Sequence, residues 1–173
     1  MRALIKVLEL ISEYSGRAIA WFTTLLVLLI CYDVTMRYLF NDSAVWMQEL
    51  EWHLFAAHIL DAAAYTLKQE AHVRVDVFYA RFSPKAKAWI NLLGTLIFLF
   101  PMCIILLAKS WDFAATSWMI KERSADPGGL AARYVIKSMI PFGTFLLLIQ
   151  GIAEGLKSIQ TLFPSQTGSS QVS

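Results

Sequence analysis

The sequence has few charged residues and few of the residue types that build catalytic or metal sites. Charged side chains make up 16% of its 173 residues, and only two cysteines and three histidines are present. A net charge of +2 gives no strongly basic face for nucleic acid. The sequence also has no Walker loop, Gly-x-Ser-x-Gly elbow or zinc-ligand spacing. We therefore predict a protein that is not an enzyme, has no metal or cofactor and does not bind nucleic acid.

The cysteines and histidines do not combine into a redox or haem site. Cys31 and Cys103 each lie within an apolar block, where a thiol acts as a small hydrophobic group, so we interpret both as packing residues. A haem-binding cytochrome is an alternative for a small helical membrane protein. However, His53 and His58 would lie about 140 degrees apart on one helix, and His72 falls in a loop, so no pair of axial ligands forms.

Apolar residues are abundant, at 57% of the chain against about 45–50% in soluble domains. They are gathered into blocks of the length needed to cross a bilayer, which is about 20 residues of helix. We predict an all-α integral membrane protein with four transmembrane helices plus interfacial amphipathic helices. The predicted spans form a membrane domain over residues 17–164, at about 18–40, 44–67, 88–108 and 134–156. An amphipathic interfacial helix is expected at 1–16, another at about 110–122, and a disordered tail at 165–173.

The second predicted span is the most polar, with Glu49, Glu51, His53, His58 and Asp61. Charges within a bilayer are costly, at about 2.5 kcal/mol or more at the centre of a helix. Helical spacing places acids three or four residues from histidines, so that they could pair. A proton or cation relay is one interpretation, and contact with the interface or a partner protein is the other.

Short sequence motifs predict the turns and helix starts between the spans. Asn41-Asp42-Ser43 predicts a turn in which Ser43 caps the second span, and Ser83-Pro84 predicts the start of the third. Residues 126–129, Asp-Pro-Gly-Gly, predict a further turn. Pro101 and Pro141 fall inside spans, where each should kink its helix.

Lysine and arginine are distributed unevenly between the two sides of the predicted bundle. Nine fall on the side of both chain ends and the second loop, and six on the other side. By the positive-inside rule, both termini are expected in the cytoplasm.

Between Arg37 and Glu154, four sequence segments follow one another in an order that resembles one protein family. They are Arg37-Tyr38-x-Phe40-Asn41-x-Ser43 followed by Trp46 and Glu49, then His72-Val73-Arg74-Val75-Asp76, then Ser124-x-Asp126-Pro127-Gly128-Gly129-Leu130, and Ile140-Pro141-x-Gly143 followed by Leu147, Gln150 and Gly151. This order resembles the small membrane subunit of tripartite ATP-independent periplasmic (TRAP) transporters. Family members often have Gly before the histidine and Pro after the Gly-Leu, where this chain has Glu70-Ala71 and Ala131.

The resemblance implies a multi-pass protein of the bacterial inner membrane that serves a secondary transporter. A periplasmic solute-binding protein would capture an organic acid, and a large membrane transport subunit would move it with sodium. The small subunit would be a non-catalytic scaffold that braces the large one. The alternative is a self-contained proton-coupled carrier or exporter that acts as a homodimer and titrates Glu49 or Asp61.

The candidate site residues are those of the matching motifs. We expect them to contact the partner or to set loop and kink geometry; they are Arg37, Trp46, Glu49, His72, Arg74, Asp76, Asp126, Gly128, Gly129 and Pro141.

Overall fold

The structure is a computed structural model that describes residues 2–69 and 81–163. His72, Arg74 and Asp76 lie outside the described residues, and so does the predicted tail at 165–173. The structure therefore does not test the predictions for these residues.

Five α-helices account for most of the described chain. They are α1 (Arg2–Leu39), α2 (Val45–Lys68), α3 (Pro84–Gly94), α4 (Phe100–Met119) and α5 (Arg133–Leu162). A π-helical turn, Thr95–Leu99, joins α3 to α4, so that the three segments form one uninterrupted rod. No strand occurs in the described ranges, which confirms the all-α prediction.

Three of the described helical rods are long and apolar enough to cross a membrane: Leu4–Leu39, Pro84–Met119 and Arg133–Leu162. They contain the first, third and fourth predicted spans. The second predicted span coincides with α2, whose 24 residues include several acids and do not meet the same composition. The structure therefore supports three of the four spans by length and composition.

Two interfacial helices that were predicted separately are continuous with the neighbouring spans. The interfacial helix expected at 1–16 and the first span at about 18–40 form a single helix, because α1 continues through Gly16. A Cβ at Gly16 would lie 2.5 Å from Cγ of Tyr65 on α2, so this glycine makes room for a neighbouring ring instead of ending the helix. Similarly, the predicted interfacial helix at 110–122 is largely the continuation of α4, which ends at Met119.

The helix-start predictions had different outcomes. Ser83 caps α3 as predicted, because its Oγ accepts a hydrogen bond of 3.3 Å from the Ala86 N–H and Pro84 is the first helical residue. Ser43 does not cap α2: the N-cap residue is Ala44, and it makes no side-chain capping bond. The intervening turn is present, with Asn41 in the left-handed region at φ 52°.

The central helix of the bundle is α5, which packs against α1, α2, α3 and α4. Its inward face is buried and includes several small residues, which let neighbouring helices approach closely. The apolar core joins Leu67 of α2, Cys103 of α4 and Leu147 of α5. Cys103 thus packs in the core as predicted, whereas Cys31 is exposed on α1, and both thiols are free.

Both prolines lie within continuous helices. Pro101 follows the π-helical turn, and a proline lacks the N–H that the preceding turn would use. Pro141 is buried inside α5. Next to it, the Thr144 hydroxyl donates to the Ile140 carbonyl at 2.7 Å, as side chains near helix-interior prolines commonly do.

Candidate functional site

Glu49 ties α2 to the loop between α4 and α5. Its side chain is buried, with the residue 5% exposed. One carboxylate oxygen accepts a hydrogen bond from the Ser124 hydroxyl, and the other accepts one of 2.5 Å from the Leu130 N–H. Each carboxylate oxygen of this acid therefore has a donor within the chain, from a residue more than 70 positions away in sequence.

The loop itself is folded tightly around this acid. The Ser124 N–H donates to the Leu130 carbonyl at 2.9 Å, and the Gly129 N–H donates to the Asp126 carbonyl at 3.0 Å, which confirms the predicted turn. Gly128 has φ +81°, a conformation that favours glycine. A Cβ at Gly129 would lie 2.6 Å from Cβ of Ser124 and 2.7 Å from the Glu49 carboxylate, so this position has no room for a side chain.

A second acid, Glu122, joins the same loop to both neighbouring helices. One of its carboxylate oxygens accepts hydrogen bonds from the Ser117 hydroxyl on α4, at 2.8 Å, and from the Lys137 ammonium on α5, at 2.5 Å. The bond to Lys137, followed by that to Ser117, holds the pKa of Glu122 below its usual value. The loop is thus fixed to α2, α4 and α5.

The opposite end of the bundle carries another set of ion pairs. Lys68 of α2 pairs with Glu13 of α1 at 2.8 Å, and Arg17 pairs with the same acid at 2.7 Å. Lys157 of α5 pairs with Glu9 of α1 and, at 2.9 Å, with Glu154 on its own helix. These contacts tie α1 to both α2 and α5 at that end.

Helical spacing allows acid–histidine pairs on α2, but the Glu49 carboxylate does not form one. The carboxylate bonds to the loop, whereas His53 Nδ1 lies 2.5 Å from the Glu49 backbone carbonyl. A carbonyl can only accept, so Nδ1 carries the proton, and the buried Nε2 has no partner among the described residues. His58 binds across the helix pair instead, with Nδ1 3.0 Å from the Thr23 hydroxyl of α1.

A pair of acids between α1 and α2 is less well satisfied. Asp33 is 1% exposed and forms an ion pair with Arg37, but its Oδ1 has no hydrogen-bond partner among the described residues. Glu51 lies close enough to Asp33 and Arg37 to interact with both electrostatically. Its buried Oε1 also has no hydrogen-bond partner among the described residues. Arg37, a predicted partner contact, therefore has an internal role next to two carboxylates.

The structure brings only some of the predicted site residues together. Glu49, Asp126, Gly128 and Gly129 form one cluster, which the ordered sequence motifs had not connected in space. Trp46 is exposed on the outside of α2, as an interfacial anchor would be.

Sequence reasoning missed Glu122 and Lys137 as a pair. The signal for them was weak, because the two residues are 15 positions apart and belong to no motif.

This arrangement defines a class of protein. The polar contacts lie between helices and at the ends of the bundle, while large apolar side chains such as Trp21, Leu28 and Ile105 cover its outside. An exposed apolar exterior of this extent belongs in lipid. The chain is an integral membrane protein of several helices.

Comparison with known proteins identifies the family of this membrane protein. Residues 26–161 match the family described as tripartite ATP-independent periplasmic transporters, DctQ component, and the chain belongs to that family. It is 33% identical over 95 residues to the C4-dicarboxylate TRAP transporter small permease protein DctQ of Vibrio cholerae serotype O1. That match covers 55% of this chain and 40% of the relative, so the chain spans less than half the length of the relative it matches. The protein is thus a small subunit of a TRAP transporter and a multi-pass protein of the bacterial inner membrane.

Proposed function

We propose that this chain is a non-catalytic scaffold that braces the large membrane subunit of a sodium-coupled TRAP transporter for organic acids. In this proposal a periplasmic solute-binding protein delivers the solute, and the large subunit carries it. The relative from Vibrio cholerae serotype O1 is named for C4-dicarboxylates, which supports an organic acid as the solute class.

The observation that supports a scaffold best is that acids at both ends of the bundle are bonded within the chain. Glu49 and Glu122 are both occupied by donors from the loop or from α5, and Glu13 is occupied by Lys68. A carrier needs polar groups that several helices direct toward a shared site near the bilayer midplane. Here these acids instead fix helices and a loop to one another, which suits a static element.

We also propose that α2 is the fourth span. Its buried polar residues, Glu49 and His53, are turned inward, whereas Trp52, Phe55 and Ile59 are exposed on its outer side. Because the Glu49 carboxylate is bonded to the loop and does not face outward, α2 can present an apolar face to lipid. With four spans both chain ends would lie on one side, and the lysine and arginine distribution supports the cytoplasm as that side.

The alternative function, a homodimeric proton-coupled carrier, would use Glu49 or Asp61 as its titrating group. Protonation of Glu49 would weaken the hydrogen bonds that its carboxylate accepts from Ser124 and Leu130 in each cycle, because it removes the negative charge. The bonding of Glu49 therefore favours the scaffold.

Uptake by reconstituted components tests the two functions. Liposomes would contain this chain alone, the large subunit alone, or both, with the binding protein and a labelled C4-dicarboxylate outside and a sodium gradient imposed. We expect uptake only when both membrane subunits are present. Uptake by this chain alone would refute the scaffold.

Glu49→Gln provides the matched variant for the same assay. The scaffold predicts that less complex assembles while uptake per assembled complex stays close to that of the unaltered protein, because the residue acts on loop structure. The carrier predicts that the variant assembles normally and loses uptake.

A further inference from the structure

A groove runs between α4 and α5 on the outside of the bundle. Its volume is about 940 Å³, and four aromatic side chains line it, Trp111 and Trp118 from α4 and Phe142 and Phe145 from α5. Each of the four is about half exposed or more. Small residues line it too, among them Ala108, Ala115 and Ser138. The groove therefore offers a concave surface with no large side chain filling it.

One charged residue, Asp112, lines this groove. It is exposed, and its carboxylate has no hydrogen bond or ion pair to any residue in the described ranges. Lys109 lies one turn earlier on α4, but no ion pair joins the two. Asp112 comes seven residues before the end of α4 at Met119, which corresponds to about 10 Å of helix. A carboxylate on the membrane-facing side of a helix calls for a cation nearby.

The groove suits a helix. Helices in membranes associate through small residues that allow close approach, and Ala108 and Ala115 are such residues two turns apart on α4. Exposed tryptophan and phenylalanine side chains are typical anchors of a protein interface. An acyl chain would fill the space without needing either feature.

We propose that this groove receives a transmembrane helix of the large transport subunit, and that this helix carries a lysine or arginine opposite Asp112. The proposal rests on the proposed function, because it assumes that the large subunit is the partner. It goes further in two ways. It assigns the contact surface to α4 and α5, and it states that the partner residue opposite Asp112 is positively charged.

Photo-crosslinking tests the surface. The photoreactive phenylalanine analogue p-benzoylphenylalanine would replace Phe145 in the groove or, as a matched control, Phe98, which is 74% exposed but does not line the groove. The full complex would be irradiated in native membranes and analysed by mass. We expect an adduct with the large subunit from position 145 and none from position 98.

Charge variants test the recognition of Asp112. We expect Asp112→Asn to reduce co-purification of the large subunit about tenfold or more, since losing one partner of a desolvated charge pair is costly. Asp112→Lys should also reduce co-purification of the large subunit. Co-purification should recover when the facing basic residue of the large subunit is changed to glutamate. Lys109→Gln is the control on the same helix and should leave co-purification unchanged. Thermal unfolding of the chain alone should be unchanged in all three, since neither side chain has a hydrogen bond or ion pair to another described residue.

The outcomes separate the two proposals. Failure of the unaltered chain to retain the large subunit would overturn the proposed function, and the groove assignment with it. Co-purification with crosslinks from position 98 and none from position 145 would overturn the groove assignment alone. So would an adduct of phospholipid mass at position 145, or unchanged co-purification of Asp112→Asn and Asp112→Lys.

Discussion

An alanine at position 129 would place a methyl group where the loop between α4 and α5 has no room. The new Cβ would lie 2.6 Å from Cβ of Ser124 and 2.7 Å from a carboxylate oxygen of Glu49. Separations below 3.0 Å force a shift of the neighbours. Cβ of Ser124 is attached directly to the backbone, so it cannot rotate away. The substitution must therefore displace the loop backbone or break the hydrogen bonds to Glu49.

The expected cost follows from overpacking, which is typically about 1–3 kcal/mol. For a chain of this size, 1 kcal/mol corresponds to about 2–4 °C in the midpoint of unfolding. Gly129→Ala should thus lower the unfolding temperature by roughly 2–12 °C. Gly94→Ala is the matched control, because a Cβ there meets nothing within 4 Å. In a helix, that change is expected to be neutral or to stabilise by about 0.5–1 kcal/mol.

The assay is thermal unfolding of both variants and the unaltered chain, in the same mild detergent, followed by circular dichroism. A double variant, Ser124→Gly with Gly129→Ala, should recover part of the lost stability, because removing the serine side chain removes the nearest obstacle. The reasoning fails if Gly129→Ala unfolds at the same temperature as Gly94→Ala or above it.

Other substitutions test separate contacts. Glu122→Gln should lower the unfolding temperature at pH 7, where the ion pair to Lys137 is formed. Because the folded-state pKa of Glu122 is depressed, its stabilisation is present above the unfolded-state pKa, and the difference between variant and unaltered protein should vanish as the pH falls through the folded-state pKa. Thr23→Val should cost about 1 kcal/mol through loss of the bond to the facing histidine of α2, while Thr24→Val, which loses only a bond of 3.4 Å within its own helix, should cost less. Glu51→Gln should raise the unfolding temperature at pH 7, because it removes a carboxylate that lies near a second one and whose buried Oε1 has no donor among the described residues. A lower temperature would show that the carboxylate is stabilised where it lies.

The helical fold could largely be predicted because apolar blocks of about 20 residues have few other solutions. The start of α3 could also be predicted, since Ser83-Pro84 is a local sequence signal for the beginning of a helix. The continuity of α1 could not, because the amphipathic pattern of residues 1–16 indicated a separate interfacial helix that ends at Gly16. The reason for that glycine is the ring of Tyr65 on another helix, and a sequence does not show such long-range packing.

The loop cluster shows the same limit. Its turn is encoded locally, in Asp126 to Gly129, and was predicted. Its attachment to Glu49 was not, because a buried acid on an apolar helix can be satisfied by a histidine one turn away as well as by a distant loop. Only the fold brings Ser124 and Leu130 to that carboxylate and leaves His53 to its own helix.

This internal use of acids changes where contacts with other subunits should be sought. The motif residues were expected to face a partner, but Glu49 and Arg37 have partners inside the chain, and changes there will affect folding before binding. Residues that can recognise another protein are those whose polar groups the bundle leaves unsatisfied on an accessible face. Asp112 meets that condition within the described chain, although no motif includes it. We therefore expect substitutions at Glu49 to lower the unfolding temperature of the chain alone and, with it, the yield of complex. Substitutions at Asp112 should reduce subunit association without changing that temperature.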